Sequence, residues 1–304
     1  MSVKTFAAID VGSFELTMKI FDLSGKNTMR EIDCIRQRID LGSDIYAHGK
    51  ISNEKIDDLC HTLKEFAQIM ESYKVTAYKA YGTSAIRETQ NTLILQDQIE
   101  QRTGIRVETL SNSEQRFLDY KSIASKGETF RRIIEEKTAI LDIGGGSIQI
   151  SLFDKDTLVS TQNLRLGVLR LQELLNHLNA GSTQMERLVD ELATAQLDDY
   201  KKLYLKDREI KNIIIVDDYL SPWAVRKAHE RGEVNAVVDR KAFSQLMEAL
   251  RTKGTTELAK RMDIAEEKVP LVYISAILTR RIAELMGAEL VWAPGVTLCD
   301  GIAY

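Results

Sequence analysis

The sequence predicts an α/β protein built from two related domains. Two segments about 130 residues apart repeat one pattern, Ala7-Ala8-Ile9-Asp10-Val11-Gly12-Ser13 and Ala139-Ile140-Leu141-Asp142-Ile143-Gly144-Gly145. Each apolar run ends in Asp-x-Gly and is followed by another, Leu16 to Phe21 and Ile148 to Phe153, so each segment reads as a β-hairpin. Around the hairpins, helix-period stretches alternate with short apolar strands, which is the α/β pattern. Asn53 to Tyr73 places Ile56, Leu59, Leu63, Phe66 and Ile69 at helical spacing, and a strand at Thr76 to Tyr81 follows. Further helices are expected at 90–102, 112–125, 184–200, 241–252 and 267–285, with strands near 106–110, 212–216 and 288–292. The expected domains are 1–125 and 126–304, with the chain end able to return to the first.

Composition narrows the function classes. The 304 residues are 44% hydrophobic and 28% charged, ordinary for a globular protein. Lys and Arg number 41 against 45 Asp and Glu, for a formal charge of −4, so no broad basic field exists to hold nucleic acid. No uncharged apolar run reaches the roughly 18 residues of a membrane span. The start, Met1-Ser2-Val3-Lys4-Thr5-Phe6, leads to Asp10 without the apolar region of a signal peptide, so a cytoplasmic location is expected. Cys34, Cys60 and Cys299 have no Cys-x-x-Cys spacing and read as inert thiols. His48, His61, His177 and His229 have no metal-ligand spacing.

The repeated turn has a chemical meaning. Glycine lets backbone N–H groups approach phosphate oxygens without obstruction by a Cβ. An Asp at the start of such a turn can hold Mg²⁺, usually through water, or orient an attacking water. Two such turns suggest two hairpins that face each other across an interdomain cleft around phosphates.

Several segments carry a resemblance to a known family. Asp142-Ile143-Gly144-Gly145-Gly146-Ser147 resembles the second phosphate loop of the exopolyphosphatase/guanosine pentaphosphatase (Ppx/GppA) family. Arg36-Gln37-Arg38-Ile39, Leu41-Gly42 and Gly49-Lys50-Ile51-Ser52 match its second strand pair and helix entry. Tyr81-Gly82-Thr83-Ser84-Ala85-Ile86-Arg87-Glu88 is similar to its Ala-Thr-Ser-Ala-x-Arg motif, and Leu164 to Leu171 to its Leu-x-Leu-Gly-x-Val-Arg-Leu segment. The resemblance implies a duplicated, ribonuclease H-like fold of the actin-like ATPase class. It also implies Mg²⁺-dependent removal of terminal phosphate from inorganic polyphosphate or guanosine pentaphosphate, with guanosine tetraphosphate a related ligand. Carried onto this chain, Gly12, Ser13, Thr83, Ser84, Arg87, Gly144, Gly145, Gly146 and Ser147 would bind phosphate, and Asp10 and Asp142 would hold metal. Arg87 offers a planar fork for phosphate oxygens, with a surface ion pair as its bland alternative. The same two readings stand for Arg170. A homodimer is the default assembly. The chain ends at Tyr304, so the helical C-terminal region of longer members is expected to be absent.

The departures from the family matter as much. Its helix Ile-Ser-Gly-x-Glu-Glu-Ala-Arg corresponds here to Leu110-Ser111-Asn112-Ser113-Glu114-Gln115-Arg116-Phe117, which places Gln115 where the water-activating Glu is expected. Glutamine cannot take that proton at neutral pH. Glu114 points about 100° away around the helix, and Leu118 and Tyr120 favour the ungapped pairing. Glu15 adds a negative charge near the first turn, Thr17 removes a cation, and Gln149 replaces a second carboxylate. Asp217-Asp218-Tyr219 stands where the family has Gly-Gly-Thr and is expected to be a solvated acidic loop, with a Mg²⁺ site as the alternative. Trp292-Ala293-Pro294-Gly295 echoes an Arg-Glu-Gly turn without its Arg. Two readings follow: a phosphohydrolase with rearranged catalytic groups (Gln115, Glu114 and Asp142 among them), or an impaired member that binds such ligands for regulation.

Overall fold

The computed structural model describes residues 4–25, 28–178 and 182–304; Met1–Val3, which open the leader reading, lie outside them. The chain divides into two units, Met1–Ser125 with Val296–Tyr304, and Lys126–Gly295.

In the first unit, β1 (Thr5–Val11), β2 (Glu15–Gly25) and β3 (Thr28–Arg38) form an antiparallel meander. Then follow α1 (Leu41–His48), α2 (Asn53–Ser72), β4 (Ala77–Gly82), α3 (Ser84–Glu88), α4 (Thr92–Thr103), β5 (Val107–Thr109) and α5 (Asn112–Ala124). The strand order is β3-β2-β1-β4-β5, with β1, β4 and β5 mutually parallel. α2 forms as expected: the Ser52 hydroxyl accepts from Lys55 N, and Ile56, Leu59, Leu63 and Phe66 are buried along one stripe. That stripe joins Ile9, Val11 and Leu16 in one core.

The second unit opens with α6 (Glu128–Glu135) and the meander β6 (Thr138–Ile143), β7 (Ile148–Asp154) and β8 (Thr157–Leu164). It continues with α7 (Val168–His177), α8 (Ser182–Tyr200), β9 (Asn212–Asp217), α9 (Ser221–Glu230) and β10 (Ala236–Asp239). α10 (Arg240–Thr252), α11 (Thr255–Met262), α12 (Val269–Met286) and β11 (Leu290–Ala293) complete it. Its strand order, β10-β11-β9-β6-β7-β8, read from the other edge as β8-β7-β6-β9-β11, repeats the order of the first sheet and adds β10 at the rim. The fold is thus α/β and duplicated, a ribonuclease H-like sheet in each unit, as in actin-like ATPases. Every residue of β9 is buried, which suits a parallel strand enclosed on both faces.

The last helix, α13 (Leu298–Ala303), packs in the first unit. Lys19 of β2, only 5% exposed, joins Asp300 Oδ2 at 2.9 Å and Glu31 Oε2 at 2.8 Å. A Cβ on Gly301 would lie 1.9 Å from Leu118 O of α5, so only glycine permits this approach. The expected hairpins prove to be three-stranded. Among the described residues, no helix is long and apolar enough to cross a membrane.

Candidate functional site

In the first unit the candidate residues gather at the carboxyl ends of three neighbouring parallel strands, where open α/β sheets place their ligands. Val11 of β1 is partnered with Gly82 of β4, and Gly82 with Thr109 of β5. The turn after β1 closes through Gly12 N to Glu15 O at 3.1 Å, and a Cβ on Gly12 would sit 2.8 Å from that oxygen. Thr83, buried after β4, donates its amide to Val11 O at 3.3 Å. Ser84 starts α3, and its hydroxyl lies 2.9 Å from that of Ser13. Tyr46 of α1 completes a set of hydroxyls, 3.0 Å from Ser13 Oγ and 3.2 Å from Ser84 Oγ. Asp10, at the end of β1, lies between Tyr81 and Thr17 in the sheet register.

Arg87 of α3 is half-buried. Its Nη1 donates to Leu110 O at 2.7 Å and to Gln115 Oε1 at 3.3 Å, so it links the end of β4 to the start of α5. The structure therefore brings Gln115 beside Arg87. Glu114 is engaged differently: with Ser111 it forms a capping box, Ser111 N to Glu114 Oε2 at 2.8 Å and Glu114 N to Ser111 Oγ at 3.2 Å. The Ser111 hydrogen bonds hold the Glu114 carboxyl below its ordinary range, which makes it a weaker base. The Ser-x-x-Glu spacing is the sequence sign of such a box.

The charge changes at the first turn have local answers. Glu15 is partnered in register with Arg38 of β3, and Thr17 with Arg36. The Arg38 guanidinium also lies 5.3 Å from the centre of the Phe14 ring. The cation lost from β2 at Thr17 thus has a neighbour one strand over, and the Arg36-Gln37-Arg38 alternation was its sequence signal.

In the second unit the turn after β6 closes as the first does, Gly144 N to Ser147 O at 3.0 Å. Its carbonyls are taken by the start of α7. Val168 N donates to Gly144 O at 3.0 Å, and Leu169 N and Arg170 N to Gly145 O at 3.0 and 3.1 Å. Arg170 Nε donates to Gly146 O at 2.9 Å, so Arg170 props the loop. With the carbonyls occupied, the amides of Gly145, Gly146 and Ser147 have no backbone acceptor among the described residues, although all three residues are buried. Buried N–H groups without protein acceptors suit an anion. Gly167 makes this loop possible: a Cβ there would fall 2.2 Å from Gly145 O and Gly146 C. Sequence reasoning quoted Gly167 only as part of a motif; the contact it serves is remote in sequence.

Asp142 Oδ2 accepts from Gln149 Nε2 at 3.1 Å, across the register pair of β6 and β7. Gln149 is 2% exposed, and its Oε1 is buried with no hydrogen-bond partner among the described residues. Asp217 corrects the expectation of a solvated acidic loop. It is 7% exposed and caps α9, accepting from Leu220 N at 2.9 Å, Ser221 N at 2.6 Å and the Ser275 hydroxyl of α12 at 2.7 Å. Burial raises its pKa, opposed by those hydrogen bonds. Asp218 is half-buried. Cys60 and Cys299 are buried free thiols, and the four histidines lie exposed on the surface.

Comparisons with known proteins bear on the family and the fold. The sequence pattern of the Ppx/GppA phosphatase family matches residues 20–304. The bifunctional 3-dehydroquinate synthase/phosphatase of Fusobacterium nucleatum is 23% identical over 210 residues, covering 65% of this chain and 31% of that protein. Exopolyphosphatase 1 of Mycobacterium tuberculosis is 26% identical over 144 residues, or 47% of this chain and 40% of that one. The chain therefore spans well under half the length of these curated relatives. Among solved structures, an exopolyphosphatase from Cytophaga hutchinsonii has a TM-score of 0.81 at 18% identity, over 99% of this chain and 97% of that one. The Aquifex aeolicus Ppx/GppA family member gives 0.78 at 16% identity, over 99% and 96%. At such identities the likeness shows the fold.

Proposed function

This chain belongs to the Ppx/GppA phosphatase family, and on that premise we propose that it binds the terminal phosphates of inorganic polyphosphate or guanosine pentaphosphate and hydrolyses the phosphoanhydride slowly. The observation that carries this reading is the loop Gly144–Ser147: α7 holds the carbonyls of Gly144, Gly145 and Gly146, while the amides of the buried residues Gly145, Gly146 and Ser147 have no backbone acceptor among the described residues. The relatives named as exopolyphosphatases support the substrate class.

Phosphoanhydride hydrolysis asks a protein mainly for positioning and charge neutralisation. The amides of Gly145, Gly146 and Ser147 would donate to phosphate oxygens, as would the hydroxyls of Ser13 and Ser84. Arg87 donates to Gln115 at 3.3 Å, and by the resemblance Gln115 would stand where the family has its water-activating Glu. Gln115 can hydrogen-bond an attacking water but cannot accept its proton, which passes instead to a phosphate oxygen as the bridging P–O bond breaks. By the resemblance, Asp10 in the first unit or Asp142 in the second would hold Mg²⁺, which would neutralise charge on the phosphate oxygens. Mg²⁺ fits such a donor set because it takes one or two carboxylates along with phosphate and water. No group of three or more ligating side chains exists among the described residues, so a cage built from protein alone is not the arrangement.

A second reading, a binding protein without turnover, is favoured by one specific observation: neither Gln115 nor the capped Glu114 offers a base. One assay separates the two. Mg²⁺-dependent phosphate release is measured for the natural protein and for Gln115→Glu, Gln149→Glu and the double variant. Slow release by the natural protein is expected, with a gain in the double variant larger than in either single one. General-base assistance is worth about 10²–10⁴-fold. Robust turnover by the natural protein, undiminished in Gln115→Ala, would overturn the assignment of Gln115.

A further inference from the structure

We infer that Tyr46 is a positioning residue for the bound phosphate, acting through the hydroxyls of Ser13 and Ser84; the inference rests on the phosphate reading above. Three elements remote in sequence bring these groups together: the turn after β1, the start of α3, and α1. The separations are 2.9 Å between the serine hydroxyls, 3.0 Å from Tyr46 to Ser13 and 3.2 Å from Tyr46 to Ser84. Both serines are 6% exposed. The backbone fixes the same triangle, because Gly42 N of α1 donates to Ser13 O at 2.7 Å.

The chemistry of the three hydroxyls is unequal. A phenol is more acidic than an alkyl hydroxyl, so Tyr46 is the better donor and the poorer acceptor. Each serine carries one hydrogen and two lone pairs. With Tyr46 donating to a serine lone pair, the serine hydrogens stay available for phosphate oxygens, and the accepting serine becomes a stronger donor. Without the phenol, the serines satisfy each other and one hydrogen is lost to the ligand. The bond to Tyr46 also holds the serine rotamers, so less freedom is lost on binding.

Tyr46→Phe tests this, because the ring keeps its packing against the first-unit core and only the hydroxyl is removed. Binding of inorganic polyphosphate of defined length is measured by calorimetry with Mg²⁺, together with KM and kcat for phosphate release. The expected result is a Kd and KM raised about three- to tenfold with kcat within about twofold, the signature of binding shared by substrate and transition state. A double-mutant cycle supplies the readout that a purely structural role would not move. In the Ser13→Ala/Ser84→Ala background, Tyr46→Phe should cost nothing further. Unchanged affinity in Tyr46→Phe, or a full additional loss in the serine-free background, overturns the inference alone. A natural protein that binds neither polyphosphate nor guanosine pentaphosphate overturns the phosphate reading and this inference together.

Discussion

Gly12 donates to Glu15 O at 3.1 Å and Gly144 to Ser147 O at 3.0 Å, so the turns after β1 and β6 close alike. Each is braced by the start of the helix after the third strand. Ile39 N and Asp40 N donate to Phe14 O and Gly42 N to Ser13 O in one, and Val168, Leu169 and Arg170 brace the other. The residue just before each of these helices differs. In the second unit it is Gly167 at φ −68°, pressed onto the loop so closely that no side chain fits. In the first it is Asp40 at φ 53°, in the left-handed region. One unit thus needs an absent Cβ and the other an uncommon backbone angle. Ser13 N in the first loop, like Gly145 N, Gly146 N and Ser147 N in the second, has no backbone acceptor among the described residues, so the loops differ instead in what braces them and in the Ser13–Ser84 hydroxyl pair that the first one adds.

The largest effect expected from this contrast lies at Gly167. Gly167→Ala places a Cβ 2.2 Å from loop backbone atoms, which must move because they are not the end of a flexible side chain. Overpacking of this kind costs about 1–3 kcal/mol, and here the displaced atoms include Ser147 N, one of the amides proposed to donate to phosphate. A lower melting temperature and at least a tenfold loss of polyphosphate affinity are expected, about 1.4 kcal/mol in binding. Gly144→Ala, whose Cβ would stand 3.4 Å from Ser147 O, should keep the melting temperature and is the control for that measurement. If calorimetry finds Gly167→Ala binding normally, the loop is not held by this contact.

The units also differ in their ion clamps. In the first, burial works to lower the Lys19 pKa, but Asp300 and Glu31 together raise it above the usual lysine range. In the second, Glu186 of α8 accepts from Arg251 Nε and Nη2, each at 2.6 Å, and pairs with Arg280 of α12. The Arg251 hydrogen bonds, reinforced by Arg280 and opposed by burial, bring Glu186 down to about 2 from 4.5. A depressed carboxylate contributes stability above its unfolded pKa and loses it as pH falls through the folded one. The window is therefore pH 4.5 down to about 2, worth about 3 kcal/mol at most. The raised Lys19 stays protonated throughout that window and gives it no slope. Trp223 and Trp292, the two tryptophans of the chain, both lie in the second unit and report its unfolding. Urea midpoints followed by their fluorescence should fall from pH 5 to pH 2 in the natural protein and much less in Glu186→Gln. Equal slopes would remove Glu186 as the acid-sensitive clamp.

What the sequence disclosed followed from locality. The hairpins, α2, β4, β9 and α12 announce themselves because apolar period and Asp-x-Gly turns are local signals. β3 was under-read because its sequence, Thr28-Met29-Arg30-Glu31-Ile32-Asp33-Cys34, lies at a sheet edge and buries no continuous apolar face. Asp217 was misread because what buries it, Ser275, comes from a helix far along the chain. Gly167 and Tyr46 act on residues in other segments, so spacing alone could not assign them. Glu114 is the opposite case: its Ser111-x-x-Glu114 box is local and was legible, but the family comparison drew attention to the neighbouring residue.

The smallest expected effect separates the two ways of entering a helix. Asp40 meets the turn through its amide, which donates to Phe14 O, and the side-chain constraint at position 40 is the angle φ 53°. Left-handed backbone costs a residue with a Cβ about 1–2 kcal/mol, while glycine adopts it freely and Asp tolerates it through its short polar side chain. Asp40→Gly and Asp40→Ala remove the same carboxylate, so their difference isolates the backbone. The glycine variant should be more stable than the alanine variant by about 1 kcal/mol in urea unfolding, with little difference in polyphosphate affinity. At position 167 the same replacement of Gly by Ala should cost both stability and affinity, because there the Cβ meets the loop itself. Matching stabilities for Asp40→Gly and Asp40→Ala would mean that the turn at 40 relaxes to an ordinary angle, and that the two helix entries are less different than their backbones indicate.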